Sequence, residues 1–354
     1  MSLTSPKTGN LWGFGAKVEA AYGTKLAPTT SDGVLLTKPP APDFDHFLND
    51  GARGNNPMGG KRVMVASSGR WGEMKVEAEG IGAGAAYAAG VKPHLDAMIL
   101  GAGHKGTGSF TGGQESWVYT PSMYPTDVLT SLTLAAYLSG QLYTLYGAYG
   151  DVEIAQAGPD IPNWMFDYAG VMDAMTDVAI PVFSNYPAIS NLPQKGDAIG
   201  LTIGTYTAGI VKSFAFKAGR SFKNHRVNVS TGAIVPGYAG LVPGNRNPTL
   251  EVVIDRDTLA ATTPWHTATT LDPYRMAEDN NQVSVKLQVG SVQYKRWGIF
   301  SGSTMTAGVP TVASTAILED VKDTFEGPNA TWTLTFGFFP STYVLSDDYA
   351  IYYN

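Results

Sequence analysis

A mainly β fold follows from three features of this sequence. Charged residues make up only 15 % of the chain while glycine and proline number 41 and 22, so long Lys/Glu-rich helices have nothing to form from. Apolar and polar residues alternate with a period of two, as where Leu132, Leu134 and Ala136 oppose Ser131, Thr133 and Ala135; that is the pattern of a strand with one buried face. The alternating patches are rich in Thr, Val and Tyr, which suit a pleated, half-buried surface. Hydrophobic residues, at 44 % of the chain, suffice for a core and exclude disorder. A length of 354 residues predicts roughly two domains.

Taken in order, residues 1–50 read as irregular. A short strand or turn over 17–22 ends at Gly23, and Lys38-Pro-Pro-Ala-Pro imposes extended backbone, because a residue before proline avoids the helical region. Residues 50–60 are a loop by composition, and the long unpaired stretch of about 23–60 predicts an arm that leans on a neighbouring subunit. Strands are expected over 61–66 and 71–79. A helix is expected over 93–100, with Pro93 in its first turn and Gly101 or Gly103 stopping it. A short strand, 116–119, precedes a three-stranded antiparallel meander over 129–171. In it Ser139-Gly140 makes the turn, and the long return arm 141–157 carries Gly147 and Gly150, which signal bulges or close backbone approach.

The low-charge stretch 177–197, with Pro181, Pro187 and Pro193, marks a boundary between domains 1–180 and 181–354. Beyond it, 209–216 and 224–230 read as a strand pair and 250–255 as a strand. A second helix starts at Asp272-Pro273, the aspartate as N-cap and the proline at the first helical position. Residues 284–300 read as a strand pair or one bulged strand, and 331–339 and 348–353 as strands. The halves echo each other. An acidic-apolar strand (EMKVEAE, LEVVID) precedes a short proline-started helix in both, and an S-apolar-x-apolar strand (SLTL, SVKL) follows it. Identity between them is weak, so the echo suggests a duplication.

Several of these segments together resemble the tail tube (major tail) proteins of long, flexible-tailed, siphovirus-like bacteriophages. The resemblance rests on Glu73-Met-Lys-Val-Glu-Ala-Glu-Gly, a Gly/Ala linker and Lys92-Pro-His-Leu-Asp-Ala-Met-Ile-Leu-Gly-Ala-Gly. It continues in Ser131-Leu-Thr-Leu, Gly147-Ala-Tyr-Gly-Asp-Val-Glu-Ile and Phe166-Asp-Tyr-Ala-Gly-Val. The opening Ala16-Lys-Val-Glu-Ala-Ala-Tyr-Gly-Thr-Lys resembles that family's E-x-x-Y-G-T turn, and 213–242 with Asp347-Asp348 resemble the distal part of its two-domain members.

This resemblance implies two tandem tail-tube-like β-sandwich/barrel domains, each with one short helix, whose strands close with those of other subunits into a β-barrel ring. It implies a structural virion protein without catalysis or cofactor. Two tandem domains imply a homotrimer with pseudo-sixfold symmetry, stacking through arm and loops onto the next ring. The implied partners are further copies of itself, the tape-measure protein, the tail terminator and distal tail proteins, and double-stranded DNA passing without sequence-specific binding. The implied location is the virion tail, after synthesis in the host bacterial cytoplasm.

Chemistry-bearing motifs are few. There is no cysteine, which removes disulfides, thiolate metal sites and cysteine nucleophiles. His46, His94, His104, His225 and His266 have no metal-ligand spacing and default to structural roles. Gly80-Ile-Gly-Ala-Gly fails the dinucleotide spacing, and GNNPMGGKR (54–62) departs from a phosphate loop at its first glycine and at Arg62. A net charge of -6 argues against broad nucleic-acid binding. Residues 1–9 are polar, unlike a secretory leader, no apolar run reaches the ~18 residues of a spanning helix, and the regular lipid-facing strands of a membrane barrel are missing.

Glu73, Glu77, Glu79, Asp151 and Glu153 recur on alternating strand positions. The plain reading is a solvated face. The sharper one is a channel wall whose like charge keeps a phosphate backbone from adhering. The alternatives are a carbohydrate-binding or hydrolytic β protein using Trp71, Trp117, Trp164, Trp265, Trp297 and Trp332 with these carboxylates, or a decoration or tail-end component of a virion.

Overall fold

The computed structural model describes residues 11–50, 63–123, 126–158, 160–191, 199–226, 238–326, 329–342 and 346–354. In the first half the strands are β1 (Trp12–Val18), β2 (Ala41–Asp50), β3 (Val63–Glu79), β4 (His104–Ser109), β5 (Ser116–Pro121), β6 (Leu132–Leu138), β7 (Gln141–Ala157), β8 (Asn163–Met172) and β9 (Thr176–Asp177), with helix α1 (Asp96–Gly101) between β3 and β4. The second half holds β10 (Ile199–Ile203), β11 (Val211–Lys217), β12 (Arg220–Arg226), β13 (Tyr238–Arg246) and β14 (Thr249–Asp255), then helix α2 (Pro273–Glu278). After it come β15 (Gln282–Val283), β16 (Val285–Val289), β17 (Trp297–Ser301), β18 (Thr304–Thr306), β19 (Val309–Thr311), β20 (Ala316–Glu326), β21 (Asn329–Phe338) and β22 (Tyr349–Tyr353).

The protein is mainly β, as its composition predicts. A large sheet runs β15-β20-β21-β14-β11-β7-β8-β3-β2, with β1, β6 and β9 attached beside β7. A smaller sheet runs β10-β16-β17-β22-β5-β4, and β12-β13 and β18-β19 are separate hairpins. Among the described residues no sheet closes into a barrel. The two large sheets and both helices share one apolar core. At its centre Trp164 of β8 meets Trp297 of β17 edge to face, ring centres 4.9 Å apart. Aromatic pairs of this geometry add about 0.5–1.5 kcal/mol beyond the area they bury.

The 132–138/141–157 hairpin forms with Ser139 and Gly140 at φ 53° and 82°, and β8 completes the meander. β7 serves β6 and β9 along its first part and β11 along its last, with a bulge between them. The register slips between Tyr146 and Tyr149, with Gly147 at φ 57°, a conformation that costs a side-chain-bearing residue about 1–2 kcal/mol. The bulge is anchored by the buried carboxylate of Glu19. It accepts hydrogen bonds from Gly147 N at 2.8 Å, Ser131 Oγ at 2.7 Å and Thr133 Oγ1 at 2.8 Å, so the charge is solvated by the protein itself. Tyr22, three residues on, stacks on Tyr149 at 5.1 Å.

The connections read alike in the two halves. β1 pairs β6, and β10 pairs β16. A hairpin leads from β6 into β7, and another from β16 into β17. The large sheet contains the sets β2-β3-β8-β7 and β11-β14-β21-β20 in the same order. β9 sits on the first part of β7 as β22 sits on β17. Each helix follows the corresponding acidic-apolar strand, β3 or β14.

Several local expectations are corrected. Residues 12–18 and 41–50 are strands, not part of an irregular arm; β2 is an edge strand whose ladder to β3 needs no apolar alternation on its outer side. Residues 51–62 of the expected arm, and 192–198 of the expected boundary, lie outside the described residues. Of 17–22, strand geometry ends at Val18. Residues 63–66 and 71–79 of the two expected strands belong to one strand, β3. The first helix starts at Asp96, after Pro93. β11 does not pair with the strand that follows it; it lies between β7 and β14, while β12 pairs β13. The second helix starts as read, Asp272 accepting from Arg275 N at 3.1 Å.

The polar face of the large sheet as candidate functional site

One face of the large sheet is core. Met74, Val76 and Ala78 of β3, Trp164, Phe166 and Tyr168 of β8, and Val152 and Ile154 of β7 are all buried. Because strand side chains alternate, the residues between them share the opposite face. That face carries Glu73, Lys75, Glu77 and Glu79 on β3, Asp167 on β8, Asp151 and Glu153 on β7, and Lys217 on β11. The five acids singled out from sequence therefore lie on one surface. A groove of about 520 Å³ crosses it, lined by Glu73, Lys75, Glu77, Asp151, Glu153 and Asp167 and flanked by Arg220 and Phe222.

The charges are organised in cross-strand pairs. Lys38 Nζ lies 2.8 Å from Glu77, and Asn163 Nδ2 donates to the same carboxylate at 2.7 Å. The Lys38 hydrogen bond holds Glu77 below its ordinary pKa, against the opposing effect of burial. Lys75 pairs with Asp167 at 3.6 Å and Lys217 with Glu153 at 3.1 Å. Such exposed pairs contribute about 0–1 kcal/mol each. Burial alone raises Glu79. Asp151 is the most perturbed of the five: burial pushes it up to about 6, although the backbone N–H groups of Arg220, Val152 and Gly219 and the Arg220 charge oppose the rise.

Asp167, Lys75 and Lys217 were not singled out from sequence. Asp167 was legible, since it alternates with Phe166 and Tyr168; Lys217 needed the β7–β11 pairing, which joins residues far apart in the chain.

Other sequence signals resolve into structure. In the Gly80-Ile-Gly stretch, a Cβ on Gly80 would come within 2.4 Å of Trp164 Nε1 and one on Gly82 within 2.2 Å of Tyr294 O, so these glycines serve close packing. His94 accepts from Leu35 N at 2.8 Å and burial lowers it to about 4. His104 bonds Tyr349 at 2.8 Å; burial, helped by the Arg220 charge, lowers it to about 3. The side chains of His46 and His225 lie outside the described residues. Trp164, Trp297 and Trp332 are wholly buried and Trp117 nearly so, which withdraws them from any sugar-stacking platform. Among the described residues no three His, Cys, Asp or Glu side chains are grouped to hold a metal ion. No helix among them is long and apolar enough to cross a membrane.

A scan against protein-family models matches none of them, and a search of the curated proteins finds no significant relative.

Proposed function

We propose that this chain is a structural subunit that polymerises edge to edge into rings and face to face into a tube, as a tail tube protein of a long-tailed bacteriophage would. One observation carries the reading. The large sheet holds two four-strand sets in the same order, joined within the chain by the antiparallel β7–β11 pair. That joint leaves β2 at one end, and β20 beyond its short contact with β15 at Ala316 and Ile317 at the other. Unpaired edges recruit further strands. Every pairing along the run is antiparallel, so β20 of one copy meeting β2 of the next continues the same alternation. Three copies then close a ring with pseudo-sixfold symmetry, and closure satisfies every edge.

In this arrangement the polar face is the lumen wall and the apolar face stays in the subunit core. Its acids, Glu73, Glu77, Glu79, Asp151 and Glu153 among them, give a duplex no cationic surface on which to release counterions. The lumen passes the tape-measure protein and then double-stranded DNA, and the tail terminator and distal tail proteins cap the two ends. The role is geometric and needs neither catalysis nor cofactor.

Negative-stain electron microscopy with mass photometry on the purified protein tests this. The expected result is rings or tubes with a central hole and a trimer as the smallest assembled species. A monomer at all concentrations, including in the presence of tail-end components, overturns it.

A further inference from the structure

The β7–β11 joint inside the chain is a template for the joint between chains, and its register can be transferred. In the first set Val76, Phe166 and Val152 lie in one cross-strand row; in the second the row is Val252, Leu334 and Val321. At the internal joint Glu153 stands opposite Lys217 and the two form an ion pair at 3.1 Å. Counting along the rows, the place of Glu153 is taken on β20 by Lys322. Phe214 pairs with Val252, and the β2 ladder, with Ala41 opposite Lys75, places Asp43 where β11 has Lys217.

We infer that Asp43 of one copy pairs with Lys322 of the next across the ring joint, the same ion pair as Lys217–Glu153 with its signs exchanged. The inference rests on the ring reading above and fixes the register of its contact. Two features of the free subunit agree with it. Asp43 is exposed and stands directly opposite Glu73, a like-charge cross-strand arrangement that is unfavourable by itself and that a lysine from a neighbour relieves. Lys322, exposed on the open edge, folds back on Asp320 of its own strand at 2.9 Å, so it is available for exchange at little cost.

Pro42 in β2, and Pro39 and Pro40 just before it, lack backbone donors, so the β2 edge makes a poorer ladder than β11 does. Prolines of this kind blunt an edge against indiscriminate pairing. They leave side-chain charge to select the partner and the register.

The chain has no cysteine, which makes the test clean. Directly opposed strand residues have Cα atoms ~4.5–5.5 Å apart, within the ~4.4–6.8 Å that a disulfide spans. Asp43→Cys/Lys322→Cys rings, oxidised and run on a non-reducing gel, are expected to give a ladder ending at a covalent trimer. Asp43→Cys/Val321→Cys, one register step away, is expected to give none. In parallel, Asp43→Lys or Lys322→Asp alone is expected to raise the concentration needed for assembly by about tenfold or more, and the double exchange to restore it. Rings that form yet crosslink only through the shifted pair, or a double exchange no better than either single one, overturn the register and leave the ring reading standing. Absence of rings from the parent protein overturns both.

Discussion

Strands β8 and β21 occupy matching places in the large sheet, and only their buried faces agree. Trp164, Phe166 and Tyr168 on one correspond to Trp332, Leu334 and Phe336 on the other, all buried. On the outer face Met165, Asp167 and Ala169 correspond to Thr333, Thr335 and Gly337. The inward side chains answer to a common packing problem, in which a change of one methylene is felt. The outward ones face solvent and are free of that constraint. The halves also differ in how this path is divided among strands. The first uses a single bulged strand, β7; the second breaks the same path into β17 and β20 with a hairpin between.

The sharpest way to break the correspondence is at its two tryptophans. Trp164 touches two aromatics of the smaller sheet, Trp297 and Tyr353, whereas Trp332 meets Tyr274 of α2 at 6.4 Å and the Arg256 guanidinium at 5.8 Å. Trp→Ala at either site is expected to cost about 3–5 kcal/mol, with Trp164→Ala the more damaging, as read from urea denaturation midpoints. Equal losses would mean that the two halves bear on the core alike.

Asp151 sharpens the difference between the outer faces through pH. Its folded-state pKa is raised to about 6 from an ordinary 3.8, so between about pH 4 and pH 6 the folded state holds a proton that the unfolded state has lost. This group's contribution to stability is therefore fully present below pH 4 and is lost as pH rises through 6. Asp151→Asn is expected to be neutral at pH 3.5 and to stabilise by about 3 kcal/mol at pH 7.5. A gain that does not grow with pH would refute this assignment.

The smallest effect on stability, and the most informative for function, comes from the matched outer positions 167 and 335. Asp167→Lys and Thr335→Lys are each expected to shift stability by less than about 0.5 kcal/mol and to leave rings intact. Both are expected to slow DNA ejection from particles carrying them, Asp167→Lys more because it also removes an acid. Unchanged ejection kinetics in both would separate the polar face from the lumen.

Much of this was legible in the chain because alternation is local. β8, β14, β16 and β21 each carry their burial pattern in their own residues, and so do the acids of the polar face. β6 alternates as well, yet both its faces are buried, because Phe183 packs on Ala135 and Glu19 accepts from Thr133. What escaped was set by distant partners. β20 was missed because a bulge between Leu318 and Asp320 shifts its alternation and its outer edge bears charge. β2 was missed because its prolines and carboxylates lie on a sheet edge. β4 was missed because His104 and two glycines give it no periodicity; it is a strand because β5 supplies a ladder. The position of β11 beside β7, on which the site and the ring joint depend, leaves no local trace.

The smaller sheet also has a consequence for how the chain is made. Val118, Tyr119 and Trp117 of β5 pair with β4 on one side and find the ladder partners of their other side in Tyr352, Ile351 and Tyr353 of β22. During vectorial synthesis the first half must wait, with β5 and the β11-facing side of β7 uncovered, until the second half has emerged. Topologies dominated by such distant pairings fold slowly, and their partly folded forms aggregate readily. Those two edges are accordingly the places where an incomplete chain offers strands to the wrong partner.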